Sequence, residues 1–150
     1  MLFRSAFGYC KSLKEIKIPT SVKIINDEAF AYCNSLETVI IGDDCTENEL
    51  TILGSLIFNK CIGLKEVVIG NSVENIGYSC FANCSSLSAL TIGNSITYIG
   101  KDAFSNCTKL AEINYVGTKA QWELITKEAG WNNNMSAKTV ICSDGTLTIN

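Results

Sequence analysis

The residues of this chain whose types could do chemistry are eight cysteines, a short acidic run and two tryptophans. Thiols offer disulfides, metal ligation or nucleophilic attack. Histidine is absent, which removes Cys–His and Ser–His catalysis and every zinc site that uses imidazole. Cys80 and Cys84 are close in sequence but have no second pair to complete a tetrahedral site. Cys45 lies beside Asp43, Asp44 and Glu47, and neighbouring carboxylates raise a thiol pKa, the wrong direction for a nucleophile. The run from Gly42 to Glu49 gathers four carboxylates without the D-x-[DN]-x-[DN]-G spacing of a Ca²⁺ loop, so it is read as a solvated loop. Trp122 and Trp131 either stack on a sugar or pack inside a capping segment, and packing is the expectation. There is no Gly-rich phosphate loop, serine elbow or carboxylate pair on one element. No catalytic, cofactor-binding or metal-ligating residues are therefore expected, and the chain is not read as an enzyme.

Five of the cysteines occupy one repeated position. Phe7, Phe30, Phe58, Phe81 and Phe104 are each followed three residues later by Cys10, Cys33, Cys61, Cys84 and Cys107, and then by Leu13, Leu36, Leu64, Leu87 and Leu110. The steps are 23, 28, 23 and 23 residues, a 23-residue period with one five-residue insertion near 43–49. Such a period marks a solenoid, and thiols at one repeat position are expected to stack as a ladder of small buried hydrophobes. Cys80 stands where Ala6, Ala29 and Ala103 stand, so it joins the core. Cys45 is expected to be the exposed thiol. No disulfide is predicted.

Within a repeat, Ala6 to Cys10 leaves room for a single helical turn, α or 3₁₀. Ile16 and Ile18 alternate with Glu15 and Lys17 as a strand, which Pro19 ends. Val22 to Ile25 predicts a second short strand, with Val22 and Ile25 inward. Asn26, Gly54, Gly77 and Gly100 share one position, predicting a positive φ before the helical turn. Repeats thus run over about 6–116. From Thr118, a T-x-x-Q capping box opens a helix with Trp122, Ile125, Leu124 and Ala129 as its apolar stripe, Lys127 in its last turn and Gly130 after its end. Thr139–Cys142 and Thr146–Ile149 then read as a hairpin across Ser143-Asp144-Gly145. Residues 117–150 are expected to cap the array, because the last rung of a solenoid exposes an apolar end.

The fold class is therefore an α/β solenoid, β-rich, a right-handed superhelix of about five rungs in one domain over 1–150. At 47% hydrophobic and 18% charged residues, the chain has the composition of a folded domain rather than a disordered one. Net charge is −3 with no Lys/Arg cluster, so nucleic acid is not an expected partner. No apolar run spans a bilayer. Met1 to Ser5 carries no secretion signal, and the array opens in mid-repeat, so the expectation is a truncated or uncapped first rung able to meet another copy.

The phrase Ala6-Phe7-x-x-Cys10-x-x-Leu13-x-x-Ile16-x-Ile18-Pro19-x-Ser21-Val22-x-x-Ile25 resembles the BspA-like leucine-rich repeats, repetitive proteins of bacterial and some protist cell surfaces. The resemblance covers Ala6 to Val116, and the tail from Tyr115 to Gly145 is similar to the segment that closes such repeats in gut bacterial proteins. Departures are the insertion after Ile41, Cys80 for Ala and Ile57 for Ala. The resemblance implies display at a cell surface and attachment to a protein, host matrix or glycan surface; it brings no catalytic residues.

The expected partner face is the outer side of the first strand of each repeat. One column runs Glu15, Thr38, Glu66, Ala89, Glu112; the other runs Lys17, Ile40, Val68, Thr91, Asn114. Ile40 and Val68 are apolar where solvent is expected. A binding module is the leading reading, and a spacer holding another domain away from an envelope is the alternative.

Overall fold

Alternation in each repeat places one set of aliphatic side chains inward, and the computed structural model, which describes residues 4–42 and 51–149, shows how they are used. The first strands are β1 (Glu15–Ile18), β3 (Thr38–Ile41), β5 (Glu66–Ile69), β7 (Ala89–Ile92) and β9 (Ile113–Tyr115). They pair in parallel, side by side. The second strands are β2 (Ile24–Ile25), β4 (Thr51–Leu53), β6 (Val73–Ile76) and β8 (Tyr98–Ile99), and they form a second parallel sheet. Strand β2 is shorter than the expected Val22–Ile25, and Val22 is only half-buried against the core. The register shifts between Thr51 and Ile52, where the chain returns from its insertion. The insertion and Cys45 lie outside the described residues.

The third side of each rung is not the expected helical turn. Two overlapping turns replace it, closed by bonds such as Ala31 N–H to Glu28 O (3.1 Å) and Cys33 N–H to Phe30 O (3.3 Å). The residues two before and two after each Phe have left-handed backbones, for example Glu28 (59°) and Tyr32 (61°), or Asp102 (56°) and Asn106 (60°). The reason lies between rungs. Glu28, Phe30 and Tyr32 donate their N–H groups to Ser55, Ile57 and Asn59 of the next rung, each at 2.9 Å. A helix would turn those donors along its own axis; here they continue the ladder, so all three sides of the coil are hydrogen-bonded from rung to rung.

The shared glycine position is also corrected. Gly54, Gly77 and Gly100 do not have positive φ. A Cβ on Gly77 would lie 2.6 Å from the Gly54 carbonyl carbon, and one on Gly100 would lie 2.9 Å from that of Gly77. Close backbone approach, not a left-handed turn, requires glycine there.

The core holds the expected ladder. Phe7, Phe30, Phe58, Phe81 and Phe104 stack with ring centroids 5.2–5.4 Å apart and nearly parallel planes. All but Phe7 are fully buried. The cysteines line up beside them as free thiols.

The C-terminal segment differs from its expected form. Helix α1 (Lys119–Leu124) starts at Thr118 with the expected capping box to Gln121 but ends early. Leu124 is 82% exposed, and Trp122 is the helix's buried residue. Ala129 and Gly130 lie beyond the helix, and Lys127 belongs to β10 (Thr126–Lys127). Sheet pairing wins over helix continuation: Thr126 N–H bonds to Thr97 O at 2.9 Å, and β10 extends the second sheet beside β8. The next turn stacks as a further layer, with Phe104 and Asn106 donating to Trp131 O and Asn133 O, both at 2.8 Å. Strand β11 (Thr139–Cys142) then extends the first sheet in parallel beside β9, and β12 (Gly145–Thr148) turns back antiparallel, with Ser143-Asp144 as the two-residue loop.

Candidate interaction face

Parallel pairing converts the repeat into columns. The register Lys17↔Ile40↔Val68↔Thr91↔Asn114 runs straight across five strands, and the outer column Glu15↔Thr38↔Glu66↔Ala89 runs beside it. Inward neighbours Val39, Val67 and Leu90 are fully buried, so the period of two leaves these columns outward. Ile40, Val68 and Thr91 are half-buried by one another; Lys17, Glu15 and Glu66 are exposed. Glu112 is exposed just before β9.

The structure adds a residue that the repeat count did not supply. Asn114 is paired with Ile141, an exposed apolar side chain. The column therefore runs from Lys17 to Ile141, ending at a cleft of about 270 Å³ lined by Asn114, Tyr115, Val116, Ile141, Cys142 and Ser143. The alternation in Thr139-Val140-Ile141-Cys142 carried that signal, but it points outward only once β11 is known to join the first sheet. An ion pair lies beside the face: Lys65 Nζ meets Glu37 Oε2 at 2.6 Å and holds that carboxyl below its ordinary range.

Among the described residues, the remaining chemistry-bearing side chains are not assembled into a metal site. Cys33, Cys61, Cys84 and Cys107 donate S–H to the Phe carbonyl of the preceding rung at 3.1–3.4 Å. Burial pushes the Cys107 thiol up to about 12 and raises Cys80 and Cys84 as well. Among the described residues, no His, Cys, Asp and Glu cluster that could hold a metal occurs. Trp122 and Trp131 are both buried and meet edge-on, centroids 6.0 Å apart at 64°. Trp131 also sets its edge on the last ring of the phenylalanine column, Phe104. Lys127 covers one Trp122 face, its Nζ 4.8 Å from the ring. Both rings pack against the core, and a cleft of about 310 Å³ beside them is lined by Trp122, Trp131, Lys127 and Leu147 among others. No described helix is long and apolar enough to cross a membrane.

Comparison with known proteins agrees with this geometry. Residues 2–135 match the BspA type leucine rich repeat region, in six copies. A leucine rich cell surface protein of Faecalibacterium prausnitzii is similar at 26% identity and TM-score 0.62, covering 77% of this chain and 35% of that one. A leucine rich repeat protein of T. pallidum is similar at 31% identity and TM-score 0.64, over 77% of this chain and 53% of that one. A Bacteroides ovatus leucine-rich repeat protein shares the fold at 24% identity and TM-score 0.67, over 94% and 34%. The chain thus spans between a third and about a half of these proteins' lengths. No curated protein matches it.

Proposed function

The chain belongs to the BspA-type leucine-rich repeat family, and on that premise we propose that it is a non-catalytic interaction module that docks a protein partner on the outer face of its first sheet. The observation that carries this reading is the unbroken column from Lys17 through Ile40, Val68, Thr91 and Asn114 to Ile141. Apolar residues at its centre and charged residues such as Glu15, Lys17 and Glu66 around them give the apolar core and polar rim of a protein interface. Presentation at a cell surface, with host matrix proteins as partners, is part of the same proposal and is supported by the similarity to the F. prausnitzii cell surface protein.

The test is a binding screen of the purified chain against extracellular-matrix proteins, beside an Ile40→Asp/Val68→Asp variant with matched thermal stability. Two buried charges at the centre of a docked interface should cost at least tenfold in affinity. Undiminished binding by the variant would move the interface off this sheet. No binding by either form would leave the second reading, a spacer, which the rung-to-rung bonding on all three sides favours by making the coil stiff along its length.

A further inference from the structure

The turn side of the coil carries a second, chemically different feature. Between the two columns of left-handed residues runs a floor of small side chains, Gly8, Ala31, Ala82 and Ser105, one per rung. In the third rung this position is Asn59. Asn59 is 8% exposed, and its backbone groups are taken by Leu56 O and Tyr32 N–H. Its side-chain amide has no partner among the described residues. Every other asparagine amide bonded on this side shows what would satisfy it: Asn106 donates to Asn83 at 2.9 Å, Asn134 to Asn106 at 2.8 Å, and Asn133 to Asp102 at 3.2 Å. For Asn59 the residue at the place of Asp102 in the preceding rung is Glu28, whose carboxylate is bonded to Arg4 and Ser5 instead.

No fully enclosed side-chain nitrogen or oxygen among the described residues is left unpaired. The Asn59 amide therefore meets water, and it does so in a cleft of about 190 Å³ lined by Tyr9, Glu28, Ala31, Tyr32, Leu56 and Asn59. The rings of Tyr9 and Tyr32 stack at 4.7 Å on one wall, stiffened by Lys60, whose Nζ lies 5.1 Å from the Tyr32 ring centre and 3.4 Å from its hydroxyl. On the other wall, the Glu28 carboxylate is held by Arg4 at 2.9 Å and by Ser5 at 3.3 Å.

We propose that this cleft binds one neutral pyranose unit of a glycan. A buried amide that offers a donor and an acceptor together fits two adjacent hydroxyls, each of which is also donor and acceptor. Glu28 adds a fixed acceptor, and the tyrosine rings and Leu56 add an apolar surface for the C–H groups of a sugar. The cleft is smaller than the roughly 300–1,000 Å³ of sites for drug-sized ligands, which suits a single sugar unit. Arg4 and Lys60 are already engaged, and Glu28 is anionic, so phosphate and acidic sugars are disfavoured. In the free chain that amide meets water, and a pair of sugar hydroxyls reproduces the same donor and acceptor contacts. The site lies on the turn side, apart from the sheet face proposed above.

The experiment is a ¹H–¹⁵N titration of the whole chain with methyl pyranosides of glucose, mannose and galactose, following the Asn59 side-chain amide. Inorganic phosphate and N-methylacetamide, a peptide-group mimic, serve as separate probes. At least one pyranoside should give saturable shifts at Asn59 and Tyr32, weakened tenfold or more in Asn59→Ala and also in Glu28→Gln. Asn59→Ala repeats what neighbouring rungs already carry at Ala31 and Ala82, so its melting temperature should match the parent. Ile40→Asp/Val68→Asp should retain the sugar response, which separates failure of this site from failure of the sheet face. Absence of saturable shifts with every pyranoside, equal binding by Asn59→Ala, or a stronger response to phosphate or N-methylacetamide would each overturn the proposal.

Discussion

One carbonyl per rung explains why cysteine recurs beside phenylalanine. The Phe30 oxygen accepts the Cys33 N–H within its own rung and the Cys61 S–H from the next. A thiol fills the space of a small hydrophobe while offering a weak donor to that second lone pair, which an aliphatic side chain would not. Phenylalanine itself supplies apolar area and an offset stack on both faces. Phe81 is fully buried between Phe58 (5.2 Å) and Phe104 (5.4 Å). Phe81→Ala should therefore cost about 3–5 kcal/mol, read as a lowered denaturant midpoint at unchanged slope. A loss below about 1 kcal/mol would mean that the column is not a close-packed core.

At the scale of the element, the glycine column sets how closely the rungs approach beyond the second sheet. Gly77→Ala places its Cβ 2.6 Å from the Gly54 carbonyl carbon, a backbone atom that cannot rotate away. The substitution should destabilise by roughly 1–3 kcal/mol as overpacking. Ala in place of Gly at an unstrained site instead stabilises by about 0.4–1 kcal/mol, so thermal melts of Gly77→Ala discriminate by sign. The left-handed turns follow the same logic. Their backbone strain is offset by N–H groups freed to bond across rungs, which is why Glu28, Tyr32 and Asn106 tolerate positive φ.

For the whole molecule, each rung contacts its neighbours only, so stability is nearly a sum along one axis, and opening starts from the ends. The cysteine ladder reports on that axis. In pulsed alkylation of native protein, half-buried Cys10 should react first among the described thiols, Cys33 and Cys142 next, and Cys61, Cys84 and Cys107 last. The last group is protected by enclosure and by raised thiol pKa values. Equal rates across the ladder, read by peptide mass spectrometry, would show that the coil opens in one step instead.

The repeat period, the phenylalanine and cysteine ladders, the outward columns and the capping box at Thr118 were all legible in the amino-acid order. They depend on spacing within one repeat, and a fixed period carries that spacing into three dimensions. The left-handed turns, the closeness of the glycine backbones, the early end of α1 and the extension of the face to Ile141 were not legible. Each is decided by a partner about one rung away: the N–H groups of Glu28 and Tyr32 choose the next rung, Gly77 faces Gly54, and Thr126 pairs to Thr97. The Asn59 amide is the same kind of fact, because only stacking reveals that Glu28, at the place of the Asp102 that serves Asn133, bonds to Arg4 and Ser5 instead. Sequence alone determined what repeats; the contacts between repeats decided the backbone path and which side chains pair, since hydrogen bonds and excluded volume act between neighbours in space.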